Sequence, residues 1–222
     1  MKNKYTMRFQ WNTLILFVIL TFGCKEGKKY HDEKVKNSVV ASSDKIAAIL
    51  EFQESLNAEF KHPERSPLPD RFRSNFESLE FFAPDTNYVV TAKLVRTPEA
   101  LPFLMPTNTG RTSEEVVYGV VTFNLKGKAY SLEVYQNPEL IEDKDYEDYL
   151  FLPFSDHTNG DETYSGGRYL DLRIPPGNSL VLDFNQAYNP YCAYNPKYSC
   201  PLVPAVNRLE TSILAGVKDF KK

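Results

Sequence analysis

Between Leu79 and Phe184 the sequence places seven short segments with the alternating or β-branched pattern of strands, and nothing of helical length and period separates them. They are Leu79–Phe82, Tyr88–Val95, Val116–Phe123, Ala129–Tyr135, Tyr149–Phe154, Tyr169–Ile174 and Leu180–Phe184. The middle pair flanks Asn124-Leu125-Lys126-Gly127-Lys128, a hairpin signal, and Pro175-Pro176-Gly177-Asn178 makes a tight turn between the last two. Parallel strands need long, usually helical crossovers, which are missing here. The pattern therefore predicts an all-β fold, an antiparallel sandwich or partly closed barrel. Ahead of the strands, Ser42-Ser43-Asp44 offers capping oxygens, and Ile46, Ile49, Leu50, Phe52, Leu56 and Phe60 recur at helical spacing. That predicts one N-terminal helix over 44–61, stopped before Pro63. A short C-terminal helix is expected from about Asn207 to Ala215, and residues 44–222 form a single β-rich domain.

The first residues have a different character. Lys2, Lys4 and Arg8 precede the unbroken apolar run Leu14-Ile15-Leu16-Phe17-Val18-Ile19-Leu20, which is too short to span a bilayer. Thr21-Phe22-Gly23-Cys24 follows, and the whole resembles a bacterial lipoprotein signal, with a small residue directly before the cysteine to be acylated. On this reading residues 1–23 are a lipoprotein signal peptide, Cys24 is the lipidation site and 24–43 is a flexible polar tether. Two or three acyl chains, at about 0.8 kcal/mol per buried methylene, would anchor the domain stably at the cell envelope, facing periplasm or exterior. An ordinary cleaved signal with an incidental cysteine, or an uncleaved anchor, fits the same residues.

Composition narrows the function classes. Hydrophobic residues make up 42% of the chain and charged residues 25%, which excludes wholesale disorder and a multi-span membrane protein. Removing Lys2, Lys4 and Arg8 with the signal takes the net charge from −3 to −6, so no nucleic acid is expected as a partner. No phosphate-binding glycine loop, nucleophile elbow or zinc-protease helix occurs, and no cofactor or metal site is expected. The acidic run Glu142–Asp148 lacks the glycine of a calcium loop and reads as solvated.

Two segments are more specific. The first runs from Phe154-Ser155-Asp156-His157-Thr158-Asn159-Gly160-Asp161-Glu162-Thr163-Tyr164 through Gly167-Arg168-Tyr169-Leu170-Asp171. The second contains Asp183-Phe184-Asn185-Gln186-Ala187-Tyr188-Asn189-Pro190-Tyr191-Cys192-Ala193-Tyr194-Asn195, then Cys200-Pro201-Leu202-Val203-Pro204-Ala205-Val206-Asn207-Arg208-Leu209. Together they resemble domain-of-unknown-function family 1684, with Val203 and Val206 standing where that family tends to have Pro and Glu. The resemblance extends over most of the domain and implies kinship without implying an activity.

In the first segment Arg168 would share one strand face with Leu170, and Tyr169 the other with Asp171. Arg168 either ties Asp156, Glu162 and loop carbonyls into a buried network or anchors an anionic ligand. In the second, Tyr188, Tyr191, Tyr194 and Tyr198 either cap the barrel end or, with Asn185, Asn189 and Asn195, face a sugar or peptide. The candidate ligand-binding set is Asp156, Thr158, Glu162, Arg168, Asp171, Asn185, Tyr188, Asn189, Tyr194 and Asn195. These residues point to an extracytoplasmic binding or structural module for a small molecule, glycan or peptide. A hydrolase working through Asp156, Glu162, Arg168 and Asp171 is the alternative, and it requires two carboxylates converging in an open pocket. Cys192 and Cys200 remain as an even pair, expected to form a disulfide, with free buried thiols or a metal pair as rivals.

Overall fold

A computed structural model describes the backbone of residues 30–221 and the side chains from Ser43 onward. The expected signal peptide and Cys24 lie outside the described residues. Helix α1 spans Tyr30–Lys61, so it begins well before Asp44, within the stretch read from composition as a tether. Residues 30–43 contain no Pro or Gly, so nothing in the backbone chemistry stops the helix from running back through them. Among the described residues, no helix is long and apolar enough to cross a membrane.

Seven strands follow: β1 Val89–Arg96, β2 Phe103–Pro106, β3 Thr112–Leu125, β4 Lys128–Gln136, β5 Tyr149–Phe154, β6 Arg168–Arg173 and β7 Ser179–Asp183. They pair antiparallel in the order β6-β5-β4-β3-β1-β7, with β2 added to one end of the long β3, and the sheet curls into a half-barrel. The fold is thus an open curled sheet rather than two packed ones. The hairpin turns on two residues only, because Leu125 pairs with Lys128. Lys126 and Gly127 both take positive φ, 51° and 79°, the combination that matches the twist of the flanking strands.

Three differences from the sequence expectations have physical causes. Leu79–Phe82 is not a strand and makes a single bridge, Phe81 to Val217. β2 was hidden because Pro102 and Pro106 bracket it, and proline is tolerated on an edge strand. The C-terminal helix is replaced by one 3₁₀ turn, Ala205–Asn207, followed by extended chain. Burial of Ile213, Ala215 and Val217 follows a period of two, not 3.6. Asn207 fastens this tail to the sheet: its side chain accepts from the Glu133 N–H at 2.7 Å and donates to the carbonyls of Glu133 and Pro153 at 2.8 and 2.7 Å.

The inner face of the sheet and the tail form the main core, with Val121, Leu132, Leu150, Leu152, Phe154, Leu170, Leu182 and Phe184 against Leu209, Ile213 and Ala215. The other face carries a smaller, aromatic cluster of Met105, Tyr135, Phe151 and Tyr169. Where α1 docks, Phe60 packs with Leu68, Leu79, Ala193, Tyr194 and Val217.

Candidate functional site

β6 divides the candidate residues, because successive side chains leave a strand on opposite faces. Arg168 enters the inner core and is completely buried. Its Nη2 donates to Asp156 Oδ2 at 2.8 Å and to the Ile213 carbonyl at 2.9 Å, its Nη1 donates to the Ala215 carbonyl, and its plane lies over Phe154. Burial pulls the guanidinium pKa down, and the Asp156 charge pushes back. The second Asp156 oxygen accepts from the Thr158 N–H at 2.9 Å, the Thr158 hydroxyl at 2.6 Å and the Ile213 N–H at 3.2 Å. Thr158 is itself closed in by Thr163 at 2.8 Å. At the start of β6, Gly167 has φ +90°, and a Cβ there would stand 2.7 Å from the Phe154 carbonyl, so the loop passes the strand as only glycine can.

Asp156, Thr158 and Arg168 are therefore brought together, but as a buried node joining the 156–163 loop, β6 and the tail. Glu162 does not join them. It is exposed, and its backbone carbonyl accepts from the Asp219 N–H at 3.0 Å. Asn185 is buried and clamps Asp85, accepting from its N–H at 2.9 Å and donating to its carbonyl at 3.0 Å. Asn189 donates to the Lys218 carbonyl at 2.8 Å, and Asn195 to the Pro67 carbonyl at 3.3 Å. Tyr194 is buried edge-on against Phe60, with ring centres 4.7 Å apart. The hydrolase alternative loses its premise here: Asp156 is sealed against Arg168, and Asp171 leaves the strand on the opposite face.

Asp171 and Tyr188 open onto a cavity of about 540 Å³. Its walls come from α1 (Phe52, Ser55, Leu56, Glu59), from Tyr169 and Asp171 of β6, and from the segment Gln186 to Cys200. The backbones of Tyr169 and Tyr188 exchange two hydrogen bonds, of 2.9 and 3.1 Å, which pins that segment onto β6. Asp171 Oδ1 accepts from the hydroxyls of Tyr149 at 2.7 Å and Tyr188 at 2.6 Å, while Glu59 Oε1 accepts from Tyr191 at 2.8 Å. Burial, then the neighbouring carboxylates, push the phenols of Tyr149, Tyr188 and Tyr191 well above their ordinary value, so all three stay neutral donors. Tyr146 and Tyr198 add further rings, and among the described residues no Lys or Arg lines the space.

Cys200 also lines this cavity. Cys192 and Cys200 are free thiols in this structure, close enough for the Cys192 N–H to donate to Cys200 Sγ at 3.2 Å. A hydrogen bond from Cys200 is the largest influence on Cys192 and draws its thiol down to about 7, while the same contact pushes Cys200 up. The structure thus holds the pair as thiols, without the disulfide expected from the sequence. Among the described residues, no group of three or more His, Cys, Asp or Glu side chains could hold a metal ion.

Sequence reasoning missed Glu59 and Tyr169 as cavity residues. For Glu59 a signal existed, since it follows Phe52, Ser55 and Leu56 at helical spacing, a carboxylate on a semi-apolar stripe. Strand alternation had already set Tyr169 on the face of Asp171; what the sequence did not show is that this face, and not that of Arg168, meets the cavity.

No curated protein is significantly similar to the chain. Among solved structures, the solution NMR structure of the uncharacterized protein from gene locus rrnAC0354 of Haloarcula marismortui is similar over 84% of this chain and 97% of its own, at 30% identity and a TM-score of 0.61. A family model matches residues 74–218, which include every strand, the Arg168 node and the cavity wall formed by β6 and the 186–200 segment. The chain belongs to the family described as Protein of unknown function (DUF1684).

Proposed function

We propose that this chain is a small-molecule binding module, held at the cell envelope by a lipid on Cys24, with the tyrosine-lined cavity as its binding site. The observation that carries this reading is the cavity itself. Its volume of about 540 Å³ falls in the range of roughly 300–1,000 Å³ usual for ligand pockets. It also combines aromatic walls with a few fixed polar groups, which is how such pockets orient a ligand. The rings and hydroxyls suit a small molecule, a glycan unit or a peptide side chain. The buried node is its support: Arg168 and Asp156 hold the start of β6, and β6 presents Tyr169 and Asp171 on the other face. A thermal-shift screen of the full chain against metabolites, glycans, amines and peptides tests the reading. A ligand that raises the melting temperature of the wild type, and no longer does so with Asp171→Asn, supports it; a screen in which every responding ligand acts equally on both proteins refutes it. Membrane attachment is tested separately by Cys24→Ala, which should abolish acyl labelling and release the protein from the membrane fraction.

A further inference from the structure

We infer that the ligand of this cavity carries an organic ammonium group; the inference rests on the cavity being the binding site and adds the charge class of its occupant. Among the described residues two carboxylates, Glu59 and Asp171, line the cavity, and no lining side chain is cationic. The nearest basic group on the same strand face, Arg173, stands outside the lining and is paired with Asp148 at 2.6 Å, although its charge also reaches Asp171. Each carboxylate is held by tyrosine hydroxyls through one oxygen only, Oδ1 of Asp171 and Oε1 of Glu59. Among the described residues, Asp171 Oδ2 and Glu59 Oε2 have no hydrogen-bond donor. The two charges act on the same wall, since both raise the pKa of Tyr191.

Tyrosine hydroxyls cannot neutralise these charges. They orient them, and in donating their protons they leave the ring faces electron-rich. A cation beside fixed carboxylates and tyrosine rings gains from both the charges and the rings, and more as the site excludes water. An anionic ligand would meet repulsion from both carboxylates, and a neutral one would forgo their attraction. Charge complementarity therefore selects an alkylammonium compound from among the metabolites and glycans that would otherwise fit the space.

Ligand-observed NMR titration of the full chain tests this with choline and with 3,3-dimethylbutan-1-ol, which has the same shape without the charge. Choline should bind about tenfold more tightly, the factor expected when a desolvated ring face and a carboxylate act on a cation. The preference should fall towards equality with Asp171→Asn and, independently, with Glu59→Gln on the exposed helix. Equal binding of the two compounds, competing with each other and weakened by Tyr188→Phe, would overturn the ammonium assignment while leaving the cavity as the binding site. No binding of either compound would also overturn it, and the response of Asp171→Asn in the thermal-shift screen then decides whether the cavity binds anything.

Discussion

The buried Arg168–Asp156 pair and the cavity around Asp171 lie three residues apart along β6, yet they solve opposite problems. On the inner face both partners are fully buried, and the Arg168 Nη groups and the Asp156 oxygens are turned on one another, on the loop and on the tail. Arg168 Nε has no partner among the described residues, and burial costs desolvation that these bonds must offset. On the outer face Asp171, with Glu59 of α1 across the cavity, faces space lined with rings, and among the described residues each carboxylate has one oxygen without a donor. The contrast shows that polar residues dense in one sequence segment need not act together. Strand alternation sorts them, one set into architecture and the other into a surface able to take a ligand.

The contrast makes its sharpest forecast for Arg168→Ala. Removing a buried guanidinium leaves the Asp156 charge without its cation and two tail carbonyls without their donor, so stability should fall by about 3–5 kcal/mol, read by denaturant unfolding. A loss below about 1 kcal/mol, the scale of an exposed pair, would erase the distinction between the two faces.

The thiol pair at the cavity rim comes next. In an oxidising compartment Cys192 and Cys200 should join, and intact mass should rise by two hydrogens on reduction. A loop of this length stabilises by roughly 2–3 kcal/mol in the chain-entropy model, so reduction should lower the unfolding free energy by that amount. An unchanged mass would mean the rim is held by thiols alone.

Tyr188→Phe should cost only about 1.5 kcal/mol, the low end for a hydrogen bond to a charged group, since the carboxylate keeps Tyr149 as its other donor. A cost as large as that of Arg168→Ala would make the cavity wall architectural too.

The smallest effect concerns pH in the reduced protein. Cys192 titrates at about 7, below its ordinary value near 9, so its thiolate contributes stability that is fully present above the unfolded value and lost as pH falls through the folded one. Alkylation of Cys192 should therefore have its midpoint near pH 7, with Cys200 unreactive over the same range. A shared midpoint near 9 would contradict the contact between the sulfurs.

Much of the architecture was legible in the residues. The hairpin around Lys126-Gly127, the strands β1 and β3–β7 and the antiparallel class follow from period-two patterning, because one face of each strand must be buried. The facing of Arg168 with Leu170 and of Tyr169 with Asp171 follows from the same period. The direction of burial was harder to read, since the face carrying Leu170 and Leu172 opens with the charge of Arg168, while the other sets the ring of Tyr169 beside Asp171. Asn185, Asn189 and Asn195 look like ligand amides when read alone; only the structure brings Asp85, Lys218 and Pro67, all remote in sequence, to occupy them. The tail misled for a related reason. Ala205-Val206-Asn207 begins as a helix would, but the buried side chains Leu209, Ile213, Ala215 and Val217 stand at odd positions only, which an extended chain along the sheet allows and a helix does not.

The most direct test of the division between the two faces is NMR of the full chain with labelled tyrosine rings and arginine side chains, titrated with choline. Shifts confined to Tyr169, Tyr188 and Tyr191, with the Arg168 guanidinium signal unmoved, are the predicted result. Shifts at Arg168 that match or exceed those of the three tyrosines would contradict the account, because they would place the ligand against the node that is meant to be sealed.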